Sequence, residues 1–373
     1  MRKTPGRAWI CLWLLALGLG FGAAPGRAAA PESAGGRTTG PAAADTDGVI
    51  RILLYYDMEG TSGQNSTRSV NFGTVEYGSA REDLTADVNA VVAGLAAGGA
   101  DSIVVVDAHG SFNPEPDILV SRLAPPARMI AWPKRFDVYT DLLQEGVYDG
   151  IVAVAMHSRT GGGGFAAHTV NIGTEWILND MPLCEAELFA YSWGRIGVPL
   201  LLVTGDDRLA EQLAWMDWLQ YVTVKRAKGT HDAELRPGAE VRAEMRAKAE
   251  RAVRQIAHAR AARLAEPIQA QMRTEWPASL DVLDGVPGVD YRDGTVTFTA
   301  PDFTTAYRGE RALLGAAQTG YMEVLFQLAM EESGGVMFER FKEKILSAWD
   351  PKGPPQETAP APKPAVRPYF GAK

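Results

Sequence analysis

The stretch Tyr55-Tyr56-Asp57-Met58-Glu59-Gly60-Thr61-Ser62-Gly63 sets two carboxylates two residues apart, directly behind an apolar run at residues 50–54. In extended chain, positions i and i+2 project to the same side. Asp57 and Glu59 therefore face one direction just past the carboxyl end of a strand, where open α/β sheets place their ligands. The glycines that follow let the chain turn at once. Two adjacent oxygen donors suit a divalent cation. An isolated Asp-x-Glu is more often a solvated strand end than a metal site, so the pair alone does not make one. Other residues do. Asp107 and His109 follow an apolar run at 102–106, His157 follows one at 150–155, and Asp206 and Asp207 follow one at 198–203. The chain has five histidines; two stand at strand ends and a third, His168, follows the glycine run 161–164. If the strands are parallel, their carboxyl ends share one edge. Three imidazoles then join Asp57 and Glu59 there, a donor set for a metal centre.

The elements that must position these groups are legible as runs. Residues 49–56, 102–106, 150–155 and 198–203 are rich in Val, Ile and Leu and nearly continuous, the mark of strands buried on both faces. Helical stretches lie between them. Residues 79–97 carry Leu84, Val88, Val91, Val92 and Leu95 at helical spacing; 184–194 and 208–219 are two more. Alternating strand and helix predicts an α/β domain, a mostly parallel sheet flanked by helices. Pro237-Gly238 then breaks the pattern. Residues 239–264, dense in Ala, Arg and Glu, read as one long solvated helix that places His258 at the surface. Residues 267–274 and 294–298 read as strands, and Asp302 can cap a helix leading to the apolar run 321–330. This predicts a second, smaller α+β domain. The expected organisation is a signal peptide (1–30), a flexible linker (31–47), an α/β metal-site domain (48–225), an α+β domain (226–350) and a Pro-rich disordered tail (351–373).

The N-terminus has a basic start (Arg2, Lys3, Arg7), an apolar core at 8–21 and small residues after it, the order of a secretory signal. That apolar run is short for a membrane span, so the expectation is a periplasmic or secreted protein with no stable membrane insertion after signal removal. The formal charge of −8 becomes about −12 once Arg2, Lys3, Arg7 and Arg27 leave with the signal. So acidic a chain is a poor partner for nucleic acid. The charges of 239–264 alternate in sign and form no basic patch. Cys184 is the one cysteine beyond the signal, which excludes an internal disulfide in the exported chain.

Taken in order, Asp57-Met58-Glu59-Gly60-x-Ser62-Gly63, Asp107-x-His109, His157-x-Arg159, Gly164-x-x-x-His168-Thr169, Asn179-Asp180-x-Pro182-x-x-Glu185 and Gly205-Asp206-Asp207 resemble the successive motifs of the D-aminopeptidases of the dipeptide-transport operon type. The resemblance runs from about residue 50 to 330. It implies a zinc peptidase with two ions per chain. Asp57 would bridge the ions, Glu59 and His109 would complete one, and His157 and Glu185 the other. His168 matches the family's catalytic histidine. The implied substrates are short peptides with an N-terminal D-amino acid, D-Ala above all, and the implied assembly is a homo-oligomeric ring. Two positions depart from the pattern. Cys184 stands where the family has Gly, and Thr230 where it has Arg; the latter bears on specificity more than on chemistry. His231 and His258 match no ligand position. Two other functions fit part of the pattern. A periplasmic peptide- or solute-binding protein with a structural metal would have no turnover and no use for His168 beside five ligands. A two-metal phosphoesterase would need a phosphate-cradling loop, and the 161–164 glycines lack the Lys-Ser/Thr ending of one.

Overall fold

The computed structural model describes residues 37–41, 48–111, 113–130, 137–143 and 147–349. The expected signal peptide and Pro-rich tail lie outside these residues, as does the expected linker apart from 37–41. In chain order the strands are β1 (Arg37–Pro41), β2 (Arg51–Tyr56), β3 (Ser102–Asp107), β4 (Ala127–Met129), β5 (Gly150–Val154), β6 (Thr174–Leu178), β7 (Met181–Pro182), β8 (Leu200–Asp206), β9 (Gln220–Gly229), β10 (Asp232–Leu235), β11 (Arg260–Leu264), β12 (Ile268–Thr274), β13 (Asp290–Arg292) and β14 (Thr295–Ala300). The α-helices are α1 (Tyr77–Gly98), α2 (Glu185–Gly194), α3 (Asp207–Leu213), α4 (Gly238–Arg254), α5 (Phe303–Ala317), α6 (Thr319–Ser333) and α7 (Val336–Trp349).

Seven strands form the main sheet in the order β10-β9-β8-β5-β2-β3-β4. All neighbours in it are parallel except β10 on β9. The fold is α/β, with a mostly parallel sheet flanked by helices and with antiparallel sheets beside it. The continuous apolar runs have a direct cause, since both faces are covered. Leu53, Tyr55, Val104, Val106, Ile151 and Ala153 face a core that includes α2, α3 and α5. Ile52, Leu54, Ile103, Val105, Val152 and Val154 face a core built with α1 and α4. Each such side chain contributes about 1.5–3 kcal/mol by leaving water. On the second face α1 meets α4 backbone to backbone. A Cβ on Gly94 would overlap the Arg246 carbonyl oxygen, and one on Gly98 would sit 2.7 Å from that of Glu250.

Three sequence expectations change. The helix expected at 239–264 stops at Arg254, and 260–264 form β11, paired antiparallel with β1 from Arg37↔Leu264 to Pro41↔Arg260. Ala261, Ala262 and Leu264 are buried, and α2 packs so tightly that a Cβ on Gly194 would overlap the Ala262 carbonyl. Tertiary packing there overrides the helix propensity of an Ala-Arg segment. The partner strand β1 comes from within the expected linker. The helix expected at 208–219 ends at Leu213. The boundary expected at 225/226 falls inside β9, and the five-stranded sheet β13-β14-β12-β6-β7 draws strands from both sides of it. Among the described residues, no helix is long and apolar enough to cross a membrane.

Candidate metal centre

The turn after β2 is fixed by its neighbour β5. The Asp57 amide donates to the Val154 carbonyl (2.9 Å) and the Gly60 amide to that of Ala155 (2.8 Å). A side chain at position 60 would collide with the Met156 carbonyl, so glycine is required there. Lys225 on β9 reaches under the turn and donates from Nζ to the carbonyls of Glu59 (2.8 Å) and Gln64 (2.5 Å). Its ammonium also lies 4.6 Å from the ring centre of Phe165, three residues before His168. Burial pulls the Lys225 pKa down to about 8.

Six side chains converge at this edge. His109 Nε2 lies 3.4 Å from Glu59 Oε1. His157 Nε2 lies 3.3 Å from Asp57 Oδ2 and 3.4 Å from Glu185 Oε1, yet it makes no well-formed hydrogen bond and is buried. His168 Nε2 is 3.8 Å from Glu185 Oε1, and its ring stacks on that of His157 with centroids 4.0 Å apart. Donor atoms of Asp57, Glu59 and His109 fall within 4.8 Å of one another, as do those of Asp57, His157 and Glu185, and those of Glu59, His157 and His168. Asp57 thus belongs to two of the three groups.

Each imidazole is pinned at Nδ1, which leaves Nε2 for the centre. The partner is Asp117 Oδ2 for His109 (2.8 Å), the Ser158 carbonyl for His157 (2.9 Å) and the Ala166 carbonyl for His168 (2.8 Å). Glu185, the first residue of α2, is held on both oxygens. Tyr139 Oη donates to Oε2 (2.6 Å) and the Val170 amide to Oε1 (2.8 Å). An orphaned buried nitrogen facing carboxylate oxygens, with no thiolate nearby, is a donor set that fits zinc.

The electrostatics agree with a centre that wants positive charge. Burial, then the charge of Glu59, pushes Asp57 up to about 7. Burial also acts to raise Glu59 and Glu185. In Glu59 the charge of His109 overcomes it and holds the group well below the usual carboxylate range. In Glu185 the neighbouring imidazole of His157 wins, giving about 2. Burial would lower His109 and His157, but the surrounding carboxylates raise both well above the usual imidazole value. His168 goes the other way, lowered by burial and by the charge of His157.

A cavity of about 480 Å³ opens over the centre. Asp57, Glu59, His109, His168 and Glu185 line its floor, with Val70, Ala108, Ala166, Ala167 and Val170 among its walls. Arg68, Thr230 and His231 also line it, so the departure at Thr230 borders the cavity. The other strand-end acids stay out. Asp206 caps α3 through the Leu209 amide and also accepts from the Phe165 amide, and Asp207 accepts from that of Ala227. Asp107 accepts from Tyr56 Oη and from the His109 and Asp117 amides. Cys184 precedes α2 and turns its buried Sγ toward Glu187 Oε2 at 3.7 Å, outside the donor groups. His258 is exposed. Sequence reasoning missed Tyr139, Asp117 and Lys225. None stands in a spacing pattern, and a lysine inside an apolar strand was the one available signal.

The fold and the donor set define an α/β protein with a cluster of carboxylates and imidazoles that could hold metal at the carboxyl edge of its sheet. The chain belongs to the M55 peptidase family, described as D-aminopeptidase, whose pattern matches residues 50–312. Over 167 residues it is 30% identical to a D-aminopeptidase of Bacillus subtilis (strain 168), which covers 44% of this chain and 58% of that protein. The chain therefore spans less than two-thirds of the length of this curated relative. Its fold resembles that of the Zn-dependent D-aminopeptidase DppA from Bacillus subtilis, described as a self-compartmentalizing protease. The TM-score is 0.65 at 22% identity, covering 72% of this chain and 98% of the other.

Proposed function

We propose that this chain is an exported two-zinc aminopeptidase that hydrolyses short peptides with an N-terminal D-amino acid, D-Ala-containing peptides foremost. The observation that carries the proposal is the pair of donor groups sharing Asp57, one with Glu59 and His109 and the other with His157 and Glu185. These five residues would hold the ions. Bound zinc supplies Lewis-acid polarisation of a carbonyl and a lowered pKa for water. The chain's own residues do the rest. The hydrogen on His168 Nδ1 is committed to the Ala166 carbonyl, so Nε2 is the free base on the cavity side. Its lowered pKa keeps it neutral near pH 7, ready to accept a proton and return it to the leaving amine. The acidic floor of Asp57, Glu59 and Glu185 favours a substrate ammonium, and walls of alanine and valine favour a small side chain. Export rests on the basic, apolar and small-residue order of residues 1–30. Homo-oligomeric assembly is supported by the description of the structural relative and by Met322, Leu325, Phe326, Met330, Met337 and Phe341, all exposed on α6 and α7.

The test is metal content together with turnover of D-Ala-D-Ala against L-Ala-L-Ala. Protein purified without chelator should hold close to two zinc ions and prefer the D-peptide. His168→Ala should keep both ions and lose about 10²- to 10⁴-fold in kcat, the usual contribution of an acid–base group. A protein that binds metal and captures peptides without turnover would be a binding protein instead. A His168→Ala variant retaining more than about a tenth of the rate would remove His168 from the chemistry.

A further inference from the structure

Asp117 has no place in either donor group, and no motif points to it. It is nevertheless buried to 2% exposure directly behind His109. Its Oδ2 takes the imidazole Nδ1 at 2.8 Å, while Nε2 of the same ring faces Glu59 Oε1 at 3.4 Å. The other carboxylate oxygen is occupied from the far side. Oδ1 accepts from Ser111 Oγ at 2.5 Å and from Tyr77 Oη, and Asn113 Nδ2 in turn donates to that phenol oxygen at 2.7 Å. The Asp117 amide donates to Asp107 Oδ2 (2.8 Å), and Asp107 Oδ1 accepts the His109 amide (2.9 Å). The carboxylate therefore cannot rotate without breaking several buried hydrogen bonds, and Oδ2 alone remains for the imidazole.

We propose that Asp117 is a positioning residue that fixes the tautomer and ring plane of His109 and so sets the affinity of the metal position that His109 serves. The inference rests on the reading of this cluster as a metal centre. It goes further in making the two positions unequal. His157 and His168 lean on neutral backbone carbonyls, whereas His109 alone leans on a carboxylate. A carboxylate behind a ligating imidazole fixes its orientation and raises its basicity, and removing such a partner typically weakens metal binding about 10–100-fold. The effect belongs to the ion bound by His109 and Glu59, not to the one bound by His157 and Glu185.

The experiment is a zinc titration of the metal-free full chain in competition with a chromophoric chelator. It is run on wild type, Asp117→Asn, His109→Ala and the double variant. Asp117→Asn should weaken one of the two ions about 10–100-fold and leave the other unchanged. In the His109→Ala background, which lacks the weakened ion, Asp117→Asn should add nothing. A merely structural role predicts a different result, in which both ions weaken together or the Asp117 effect persists without His109. Either result overturns the proposal, as does an Asp117→Asn protein with wild-type affinities. If Asp117→Asn does not fold, Ser111→Ala keeps the carboxylate and removes one of its anchors. It should weaken the same ion by a smaller factor, and unchanged or equal affinities would overturn the proposal again. Wild type that binds no zinc would fail the metal-centre reading itself, a result distinct from two ions bound with Asp117→Asn indifferent.

Discussion

Asp57→Asn should make the metal-free protein more stable and leave it unable to respond to metal. Folding raises the Asp57 carboxyl from 3.8 to about 7, first by burial and then by the charge of Glu59, with His157 and His109 pulling the other way. A carboxyl whose folded pKa lies above its unfolded value binds its proton more tightly in the folded state. Its cost is therefore absent below the unfolded pKa, grows between the two values and is complete above the folded one. A gap of about three units at 1.36 kcal/mol each is on the order of 4 kcal/mol, a large share of a total of about 5–15 kcal/mol. The asparagine carries no charge and still offers an oxygen to the Met58 amide, which donates to Asp57 Oδ1 at 2.9 Å. In urea unfolding of chelator-treated protein, the variant should exceed wild type by up to about 4 kcal/mol near pH 8, and the gap should close toward pH 4. Zinc should then stabilise wild type, because ions replace the missing positive charge, and should not stabilise a variant that has lost the shared ligand. A variant no more stable than wild type near pH 8, or one still stabilised by zinc, would refute the reasoning.

Zinc binding should also release protons. His109 and His157 are raised well above 6.5 in the metal-free fold, and only the neutral imidazole ligates. Apparent affinity should therefore climb with pH through neutrality, and adding zinc in weak buffer should acidify the solution; the absence of acidification would contradict the charge states given above. Tyr139→Phe keeps the ring stack on Phe189 (4.6 Å) and removes the 2.6 Å donation to Glu185. Losing a hydrogen bond to a charged group costs about 1.5–3 kcal/mol, so the unfolding midpoint should fall, and an unchanged midpoint would mean that water replaces the phenol.

How far the sequence carried depended on which periodicity each residue obeyed. Asp57, Glu59, His109 and His157 were legible because strands that are buried on both faces leave unmistakable apolar runs, and parallel strands must end together. Position followed from topology, and the structure places these residues in overlapping groups, Asp57 and Glu59 with His109 and Asp57 with His157, whose donor atoms lie within 4.8 Å inside each group. The segment 260–264 failed for the opposite reason. Arg260-Ala261-Ala262-Arg263-Leu264 has no strand propensity, and it is extended because β1 and the close approach of α2 leave no room for another helical turn. Local propensity cannot report a partner that lies more than 200 residues earlier.

Glu185 marks the other limit. It sits on no strand end but opens α2, a helix whose ten residues are all buried, so periodicity there shows a core helix and nothing about chemistry. Only the motif order placed it in the site, and what the motif could not show is how it is held. Its two oxygens are satisfied by a phenol from residue 139 and a backbone amide from residue 170, segments with no common pattern. The same holds for the three imidazoles. Their spacing brings them to one edge, but it is two loop carbonyls and one buried carboxylate that turn every Nε2 inward. Spacing selects which side chains meet, and hydrogen bonds from outside the pattern decide which atoms do. Substitutions behind the ligands should therefore alter metal affinity through ligand orientation, even where every ligand remains in place.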